Sequence, residues 1–150
     1  NRLLHFVRSN RWDIKVVNLV RDELGLLNSW MRRERRTMAD AALRLIETRR
    51  EQKRVLELVG EENVVHVDYN ELCTNPLDEL NRIYSRSGLQ PVSNVAIGKG
   101  THHILGNSMR LSKLEEIKPD NRWKEELSME DLDVYQKFRG RINSILLSES

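Results

Sequence analysis

The sequence is poor in residues that could cross-link a small fold. Cys73 is the single cysteine among 150 residues, which excludes an internal disulfide and a cysteine-based zinc site. The histidines do not fall in a metal-ligand spacing; they are His5, His66, His102 and His103. A chain of 150 residues has room for one domain, and with 39% hydrophobic residues a core of useful size is possible.

The sequence also lacks membrane and secretion signals. No apolar run approaches the ~20 residues of a membrane-spanning helix, and no signal peptide opens the chain. A hydrophobic fraction of 39% beside a charged fraction of 32% indicates a soluble and globular chain rather than a disordered one. Because the sequence begins at Asn1 and not at methionine, we expect a fragment whose upstream part is absent.

Charge is unevenly distributed along the chain. Residues 1–60 carry 14 Lys and Arg against 8 Asp and Glu, a net +6, whereas residues 61–150 carry 11 against 15, a net −4. A basic half favours an anionic ligand, although solvated helix faces give the same count. A basic cluster surrounds Glu34 and consists of Arg32, Arg33, Arg35 and Arg36. It could steer an anionic polysaccharide, or it could be a solvated helix end or loop. Nucleic acid is a poorer partner because no aromatic platform is interleaved with the charges.

Hydrophobic patterning predicts alternating strands and helices. The apolar run from Ile14 to Val20 is typical of a strand buried on both faces, as in parallel sheets, and helical spacing of apolar residues follows it. The clearest helix extends from Thr37 to Leu58, with Gly60 as its stop. A second strand is predicted from Asn63 to Tyr69.

The second half of the chain is predicted to be mainly helical. After a turn, a helix is predicted to begin at Pro76 and to end near Gly88. Residues 90–108 are predicted to form a loop. Ser128 and Asp131 resemble a capping box that starts the last helix. This order of elements predicts an α/β fold with a parallel sheet flanked by helices. Ligands bind such sheets at the carboxyl ends of the strands.

Arg21 follows the first predicted strand and precedes a helix. A guanidinium at that position can bind a phosphate through two parallel hydrogen bonds, and the helix adds backbone N–H groups. Ser29 could donate its hydroxyl to the same anion. The alternative is that Arg21 pairs with a neighbouring carboxylate and that Ser29 is a surface hydroxyl.

Two further segments could contact a ligand. Tyr69, at the end of the second strand, could present its ring and hydroxyl to a bound base, or it could close the edge of the core. Gly106 and Asn107 allow a close approach of the backbone to a ligand, and Arg110 supplies charge. The alternative for these three residues is a turn followed by a solvated arginine.

Three segments together resemble the second half of a sulfotransferase that uses 3′-phosphoadenosine 5′-phosphosulfate, of the carbohydrate sulfotransferase type. KVVNLVRD…LNS (15–29) resembles the family's 3′-phosphate-binding segment. VDYNEL…NP (67–76) resembles its "RYEDL…NP" segment, and HILGNSMR…DNRWKEELS (103–128) resembles its C-terminal motif. The resemblance covers the chain from about residue 2 to about residue 147.

The resemblance implies a fold and a function. The fold would be a P-loop NTPase-like parallel sheet flanked by helices, and residues 1–150 would be the C-terminal portion of a single sulfotransferase domain. The complete enzyme would transfer a sulfuryl group to a carbohydrate hydroxyl without a metal. The family works on the luminal face of the Golgi membrane in animals, whereas bacterial relatives can be cytoplasmic. This segment has no membrane span of its own and would be inactive alone.

The resemblance also implies roles for individual residues. Arg21 and Ser29 would hold the 3′-phosphate, and Tyr69 would lie near the adenosine. The segment that carries Gly106, Asn107 and Arg110 would close over the nucleotide, while Trp123 packs.

The sequence departs from the family at two places. Glu23 stands where family members usually have proline, and a carboxylate close to a phosphate would repel it. The glycine-rich loop that binds the 5′-phosphosulfate is missing, and Gly98 to Thr101 reads as a loop, so the P-loop unit is expected upstream of Asn1.

The sequence offers one candidate for the general base and leaves alternatives for the reaction class. His5 is the candidate base that the fragment offers, although a surface or packing role suits it better. A small kinase on a related sheet is an alternative, but it would have no 3′-phosphate to bind at Arg21. A catalytically degenerate nucleotide-binding or scaffold module is the non-enzymatic alternative, and both Glu23 and the missing loop are compatible with it.

Overall fold

The computed structural model describes residues 9, 11–95 and 117–147, with the side chains of the last helix described as far as Ile145. In chain order the elements are β1 (Val16–Val20), α1 (Glu23–Glu34), α2 (Met38–Val59), a 3₁₀ turn (Glu61–Asn63), β2 (Val64–Asp68), α3 (Tyr69–Thr74), α4 (Pro76–Arg86), α5 (Trp123–Glu126) and α6 (Met129–Leu147). The chain is α/β, mostly helical, with a small parallel sheet in the order β1–β2.

The described residues form two compact units. One contains residues 9, 11–16, 21–64 and 120–147, which include α1, α2, α5 and α6. The other contains residues 17–20, 65–95 and 117–119, which include most of the sheet together with α3 and α4.

The core of the first unit is a cluster of apolar side chains on three helices. Helix α2 packs against both α1 and α6. The buried members of the cluster are Leu27, Met38, Ala41, Leu45, Ile46, Tyr135 and Ile142. Along α2, Ala41 and Leu45 face this core, and Val59 at the end of the helix is buried while Leu58 before it is exposed. This α2 contact with α1 and α6 positions the start of α1, where Arg21 lies.

Helix boundaries in this unit follow from local capping. Thr37 caps α2 and forms a reciprocal capping box with Asp40, while Gly60 ends the helix with φ of 80°. Before α6, the Asp131 backbone N–H donates to Ser128 Oγ at 3.1 Å, and the Ser128 N–H donates to the Asp131 carboxylate at 3.1 Å. The predicted capping box at Ser128 and the predicted stop at Gly60 are both confirmed.

The burial of β1 differs from the prediction. Val17 and Leu19 are 46% and 49% exposed, whereas Asn18 between them is only 8% exposed. The buried amide of Asn18 has a hydrogen-bond partner, because its Nδ2 lies 3.0 Å from Nδ1 of His66 on β2. Successive strand residues face opposite sides, so this polar pair leaves both apolar neighbours on the other face. The prediction of a strand buried on both faces was therefore wrong for β1.

The second unit contains a short helix where a turn was predicted. Asp68 ends β2 and accepts hydrogen bonds from the Asn70 N–H at 2.7 Å and the Glu71 N–H at 3.2 Å, which starts α3. Tyr69 is consequently the first residue of α3 and not the last residue of β2. Pro76 begins α4, as predicted.

No helix within the described ranges is both long enough and apolar enough to cross a bilayer.

Candidate functional site

Arg21 connects the end of β1 to the start of α1. Its Nη2 donates to the backbone oxygen of Asp120 at 2.7 Å and lies 3.8 Å from the Asp120 carboxylate. Its Nε lies 3.6 Å from the carboxylate of Asp22. Arg21 therefore pairs with carboxylates, as the alternative interpretation of this residue predicted.

Asp22 and Gly25 determine where this guanidinium lies. Asp22 is the N-cap of α1 and accepts a hydrogen bond from the Gly25 N–H at 2.5 Å. A Cβ on Gly25 would lie 2.8 Å from Arg21 Nη2 and 2.7 Å from the nearer Asp22 oxygen. The guanidinium therefore occupies the space that any other residue at position 25 would fill.

Ser29 lies one turn beyond Gly25 on α1 and is half-buried. Residues four apart share a helix face, and helical side chains tilt toward the N-terminus. Ser29 is thus on the face that carries Gly25 and leans toward the turn against which Arg21 lies. No hydrogen bond joins Arg21 to Ser29, and their predicted pairing at one phosphate stays a prediction.

The carboxylate of Asp120 lies near two arginines, Arg21 and Arg122. Arg122 binds its carboxylate through Nε at 2.7 Å and Nη2 at 2.6 Å. These hydrogen bonds, and more weakly the charge of Arg21, lower the pKa of Asp120 to about 2. Asp120 is therefore ionised at neutral pH, and its carboxylate lies close to the guanidinium groups of Arg122 and Arg21. Trp123, predicted to pack, begins α5 and is half-buried.

Glu23, the residue that departs from the family pattern, is bound by the last helix. The hydroxyl of Tyr135 donates to Glu23 Oε2 at 2.6 Å. Burial, and then this hydrogen bond, raises the pKa of Tyr135 to about 12. The Glu23 carboxylate is thus part of the contact between α1 and α6.

The second unit has a cleft of about 380 Å³ at the carboxyl ends of its two strands. This is the edge of a parallel sheet where ligands bind. The lining residues are Val20, His66, Val67, Asp68, Glu71, Glu79 and Arg82. Sequence reasoning missed this cleft, although it expected a site at this edge.

The chemistry of the cleft does not suit a phosphate. It contains three carboxylates and one guanidinium, and that guanidinium, Arg82, binds Glu79 at 2.6 Å and the backbone oxygen of His66 at 2.7 Å. Carboxylates accept hydrogen bonds, so the cleft suits a ligand with hydroxyl or amino donors. Tyr69 follows Asp68 directly and is half-buried in the same unit.

Several predicted site residues lie outside the described residues. These are His5, Gly106, Asn107 and Arg110. In the ranges that the structure describes, no group of three or more His, Cys, Asp or Glu side chains is arranged to hold a metal ion.

Sequence reasoning missed Gly25 as a site residue. A glycine in the first turn of a helix costs about 0.5–1 kcal/mol relative to alanine, so its presence signals a close approach. The glycine at position 25, soon after Arg21, was visible in the sequence.

Comparison with known proteins gives no relative for this chain. No family model, no curated protein and no solved structure matches it.

Proposed function

We propose that this chain belongs to a sulfotransferase that uses 3′-phosphoadenosine 5′-phosphosulfate and acts on a carbohydrate hydroxyl. In this proposal β1 and β2 are part of a P-loop NTPase-like sheet, and the unit that contains α1 binds the 3′-phosphate of the donor. The observation that carries the proposal is the position of Arg21, whose guanidinium lies against the first turn of α1 at Gly25.

The first turn of α1 supplies the groups that a phosphate requires. The helix N-terminus has backbone N–H groups and the positive end of the helix dipole. Arg21 adds a planar set of N–H donors that matches a phosphate, and Ser29 adds a hydroxyl on the same face. The carboxylate of Glu23 accepts a hydrogen bond of 2.6 Å from the hydroxyl of Tyr135, and this interaction limits its repulsion of a bound phosphate.

A bound phosphate would compete with two carboxylates. Asp22 lies 3.6 Å and Asp120 lies 3.8 Å from Arg21, so neither makes a close charged hydrogen bond with it. One close contact of Arg21 is with the backbone oxygen of Asp120, which is neutral. A dianionic phosphate is a stronger hydrogen-bond acceptor than that carbonyl, so the Arg21 guanidinium can turn one edge toward the phosphate.

The role of Arg21 in catalysis would be binding and orientation. Sulfuryl transfer would be an in-line displacement in which positive groups stabilise the charge on the bridging and sulfuryl oxygens. The 3′-phosphate is remote from the sulfur, and binding energy from a remote group orients the reacting centre. No residue is assigned as the general base, and the role of Tyr69 near the adenosine stays a prediction.

The competing function is a non-enzymatic scaffold. One observation favours it: Arg21 has a hydrogen bond of 2.7 Å to a backbone oxygen and lies between two carboxylates, which is an arrangement typical of a structural arginine. A scaffold of this kind would not distinguish nucleotides by a 3′-phosphate.

Calorimetric binding distinguishes the two functions. The ligands are adenosine 3′,5′-bisphosphate and 5′-AMP, and the proteins are the full-length natural chain, Arg21→Gln and the matched charge control Arg54→Gln, whose side chain is 74% exposed on α2. The proposal predicts that the bisphosphate binds more tightly and that Arg21→Gln weakens it about 10- to 100-fold, with 5′-AMP unaffected. Equal binding of the two nucleotides by the natural chain would favour the scaffold.

A further inference from the structure

The buried face of α2 continues from apolar residues into an arginine. Ala42, Leu45 and Ile46 are at most 2% exposed. Arg49 follows Ile46 and Leu45 by three and four residues, so it lies on the same face of the helix, and it is only 9% exposed. The pattern of this face predicts an apolar residue at position 49, and an arginine that breaks such a pattern points to a role other than packing.

The guanidinium of Arg49 is only partly hydrogen-bonded. Its Nη1 donates to Oε1 of Gln52 at 2.9 Å, whereas its buried Nε has no acceptor. Its Nη2 also makes no hydrogen bond with the part of the chain that the structure describes, but this atom is not enclosed and so reaches solvent. Nε and Nη2 form one edge of the planar guanidinium. That edge therefore has two N–H donors without an acceptor, and it opens to solvent at Nη2.

The charge of Arg49 is not balanced within the described ranges. No carboxylate there forms an ion pair with it. Its neighbours one turn further along α2 are the neutral Gln52 and the cationic Lys53, and Lys53 lies 4.0 Å from the carboxylate of Glu57. Removing a cation from water without a counter-ion destabilises a fold. Natural proteins retain such a cost chiefly where the group serves a function.

Two other arginines of this chain show which group the same guanidinium edge binds. Arg122 contacts the carboxylate of Asp120 through Nε at 2.7 Å and Nη2 at 2.6 Å. Arg82 contacts the carboxylate of Glu79 through Nε at 3.1 Å and Nη2 at 2.6 Å. Two parallel N–H groups match the two oxygens of a carboxylate. On Arg49 the corresponding pair of donors is unoccupied by any described residue.

The single charge of Arg49 selects among anions. A carboxylate is a monoanion, so its complex with one guanidinium is neutral. A phosphate or sulfate dianion would leave a negative charge without a counter-ion at a position from which water is largely excluded. The low exposure of the residue also favours a small planar group that enters edge-on.

We propose that Arg49 is a binding site for one carboxylate group, which Nε and Nη2 hold through paired hydrogen bonds. The carboxylate has two possible sources, a free short-chain carboxylic acid or an acidic side chain of a second polypeptide. This site lies on α2, does not involve Arg21, and goes beyond the proposed function. Its presence or absence can therefore be established without nucleotide.

The first test measures urea denaturation of the full-length natural chain and of Arg49→Met. The matched control is Arg54→Met, because the Arg54 side chain on the same helix is 74% exposed. In sodium chloride we expect Arg49→Met to have a higher urea midpoint than the natural chain, since methionine fills similar space without an unbalanced charge. Sodium acetate at the same ionic strength should raise the midpoint of the natural chain and of the control, and it should leave that of Arg49→Met unchanged.

A lower midpoint of Arg49→Met in sodium chloride would overturn the proposal, because the charge would then be balanced in the free protein. An equal response of all three proteins to acetate would also overturn it, since the effect of the anion would then be diffuse.

The second test observes the Nε–Hε NMR signal of Arg49 in the natural chain, assigned from Arg49→Lys. Acetate should shift this signal in a saturable way, and sodium sulfate should shift it only at higher concentration. Arg49→Lys retains the charge and loses the paired donors, so the acetate dependence of its urea midpoint should show binding about tenfold weaker. A signal that ignores acetate, or that responds to sulfate at a lower concentration, would overturn the assignment to a carboxylate.

A third ligand distinguishes the two sources. The α-amide of N-acetylglutamate presents a carboxylate as an acidic side chain of a polypeptide does. Tighter binding of this compound than of acetate would identify a polypeptide side chain as the source. Equal or weaker binding would identify a free carboxylic acid.

Discussion

The guanidinium of Arg21 occupies the position that a side chain on Gly25 would require. An ideal Cβ on Gly25 would lie 2.8 Å from Nη2 of Arg21. The same Cβ would lie within 2.8 Å of both carboxylate oxygens of Asp22. The N-cap hydrogen bond of α1, the placement of Arg21 and the absence of a side chain at residue 25 therefore depend on one another. The proposed phosphate site is built on this relationship.

Alanine at position 25 should destabilise the protein. The helix propensity of alanine contributes about 0.5–1 kcal/mol, but the new Cβ must displace the Asp22 carboxylate or the Arg21 guanidinium, and the loss of an N-cap hydrogen bond costs about 0.5–2 kcal/mol. Gly140→Ala is the matched control, because nothing lies within 4 Å of a Cβ there. Urea denaturation should show a loss of stability for Gly25→Ala and a gain for Gly140→Ala. A similar gain for both variants would mean that position 25 is not crowded.

The hydrogen bond between Tyr135 and Glu23 should contribute to stability in a pH-dependent way. Tyr135→Phe removes a charged hydrogen bond of 2.6 Å and should cost about 1.5–3 kcal/mol at neutral pH. The pKa of Tyr135 is raised from 10 to about 12, so its contribution is complete below pH 10 and is lost as the pH rises toward 12.

Urea denaturation at neutral pH and above pH 10 measures both effects. The difference between the natural chain and Tyr135→Phe should shrink as the pH rises. Tyr84→Phe is the control, since that hydroxyl makes no hydrogen bond with the residues that the structure describes. A constant difference at all pH values would show that the tyrosine does not titrate as stated.

Glu34 should titrate far below an ordinary glutamate. The hydrogen bond from Arg33 is the largest contribution that lowers its pKa from 4.5 to about 2, followed by that from Arg44. Its contribution to stability is therefore present above pH 4.5 and is lost as the pH falls toward 2. Carboxyl carbon NMR should give this low midpoint, and Arg33→Gln should raise it while Arg54→Gln leaves it unchanged. An ordinary midpoint in the natural chain would contradict the arginine arrangement.

Asp120→Asn should strengthen the binding of a 3′-phosphate. The ionised carboxylate lies 3.8 Å from Arg21 Nη2 and competes for its charge, whereas the backbone oxygen that holds Arg21 is kept in the variant. We expect a gain in affinity of about threefold to tenfold for adenosine 3′,5′-bisphosphate and none for 5′-AMP. Weaker binding of the bisphosphate would show that Asp120 positions Arg21 and does not compete with the ligand.

Local signals in the sequence predicted much of the helical structure. The helix start at Thr37, the Gly60 stop, the proline start at Pro76 and the Ser128 capping box are each set by residues a few positions apart. Such signals depend on short-range sterics and hydrogen bonds, which a sequence shows directly.

Contacts between distant parts of the chain were not predictable in this way. The burial of Asn18 depends on His66, which is 48 residues away, and the backbone partner of Arg21 at Asp120 is 99 residues away. The strand pattern was therefore misjudged at Val17 and Leu19, and the contact of Arg21 with Asp120 was missed. Tertiary pairing overrides a local pattern where a polar residue finds a partner.

The most direct test of the proposed site observes Arg21 itself. In side-chain Nε–Hε NMR spectra, with the Arg21 signal assigned from Arg21→Lys, adenosine 3′,5′-bisphosphate and 5′-AMP are titrated in turn. The account predicts that the bisphosphate shifts the Arg21 signal at a saturating concentration at which 5′-AMP leaves it unchanged. An Arg21 signal that responds to neither nucleotide, or equally to both, would contradict the assignment of this residue to a 3′-phosphate site.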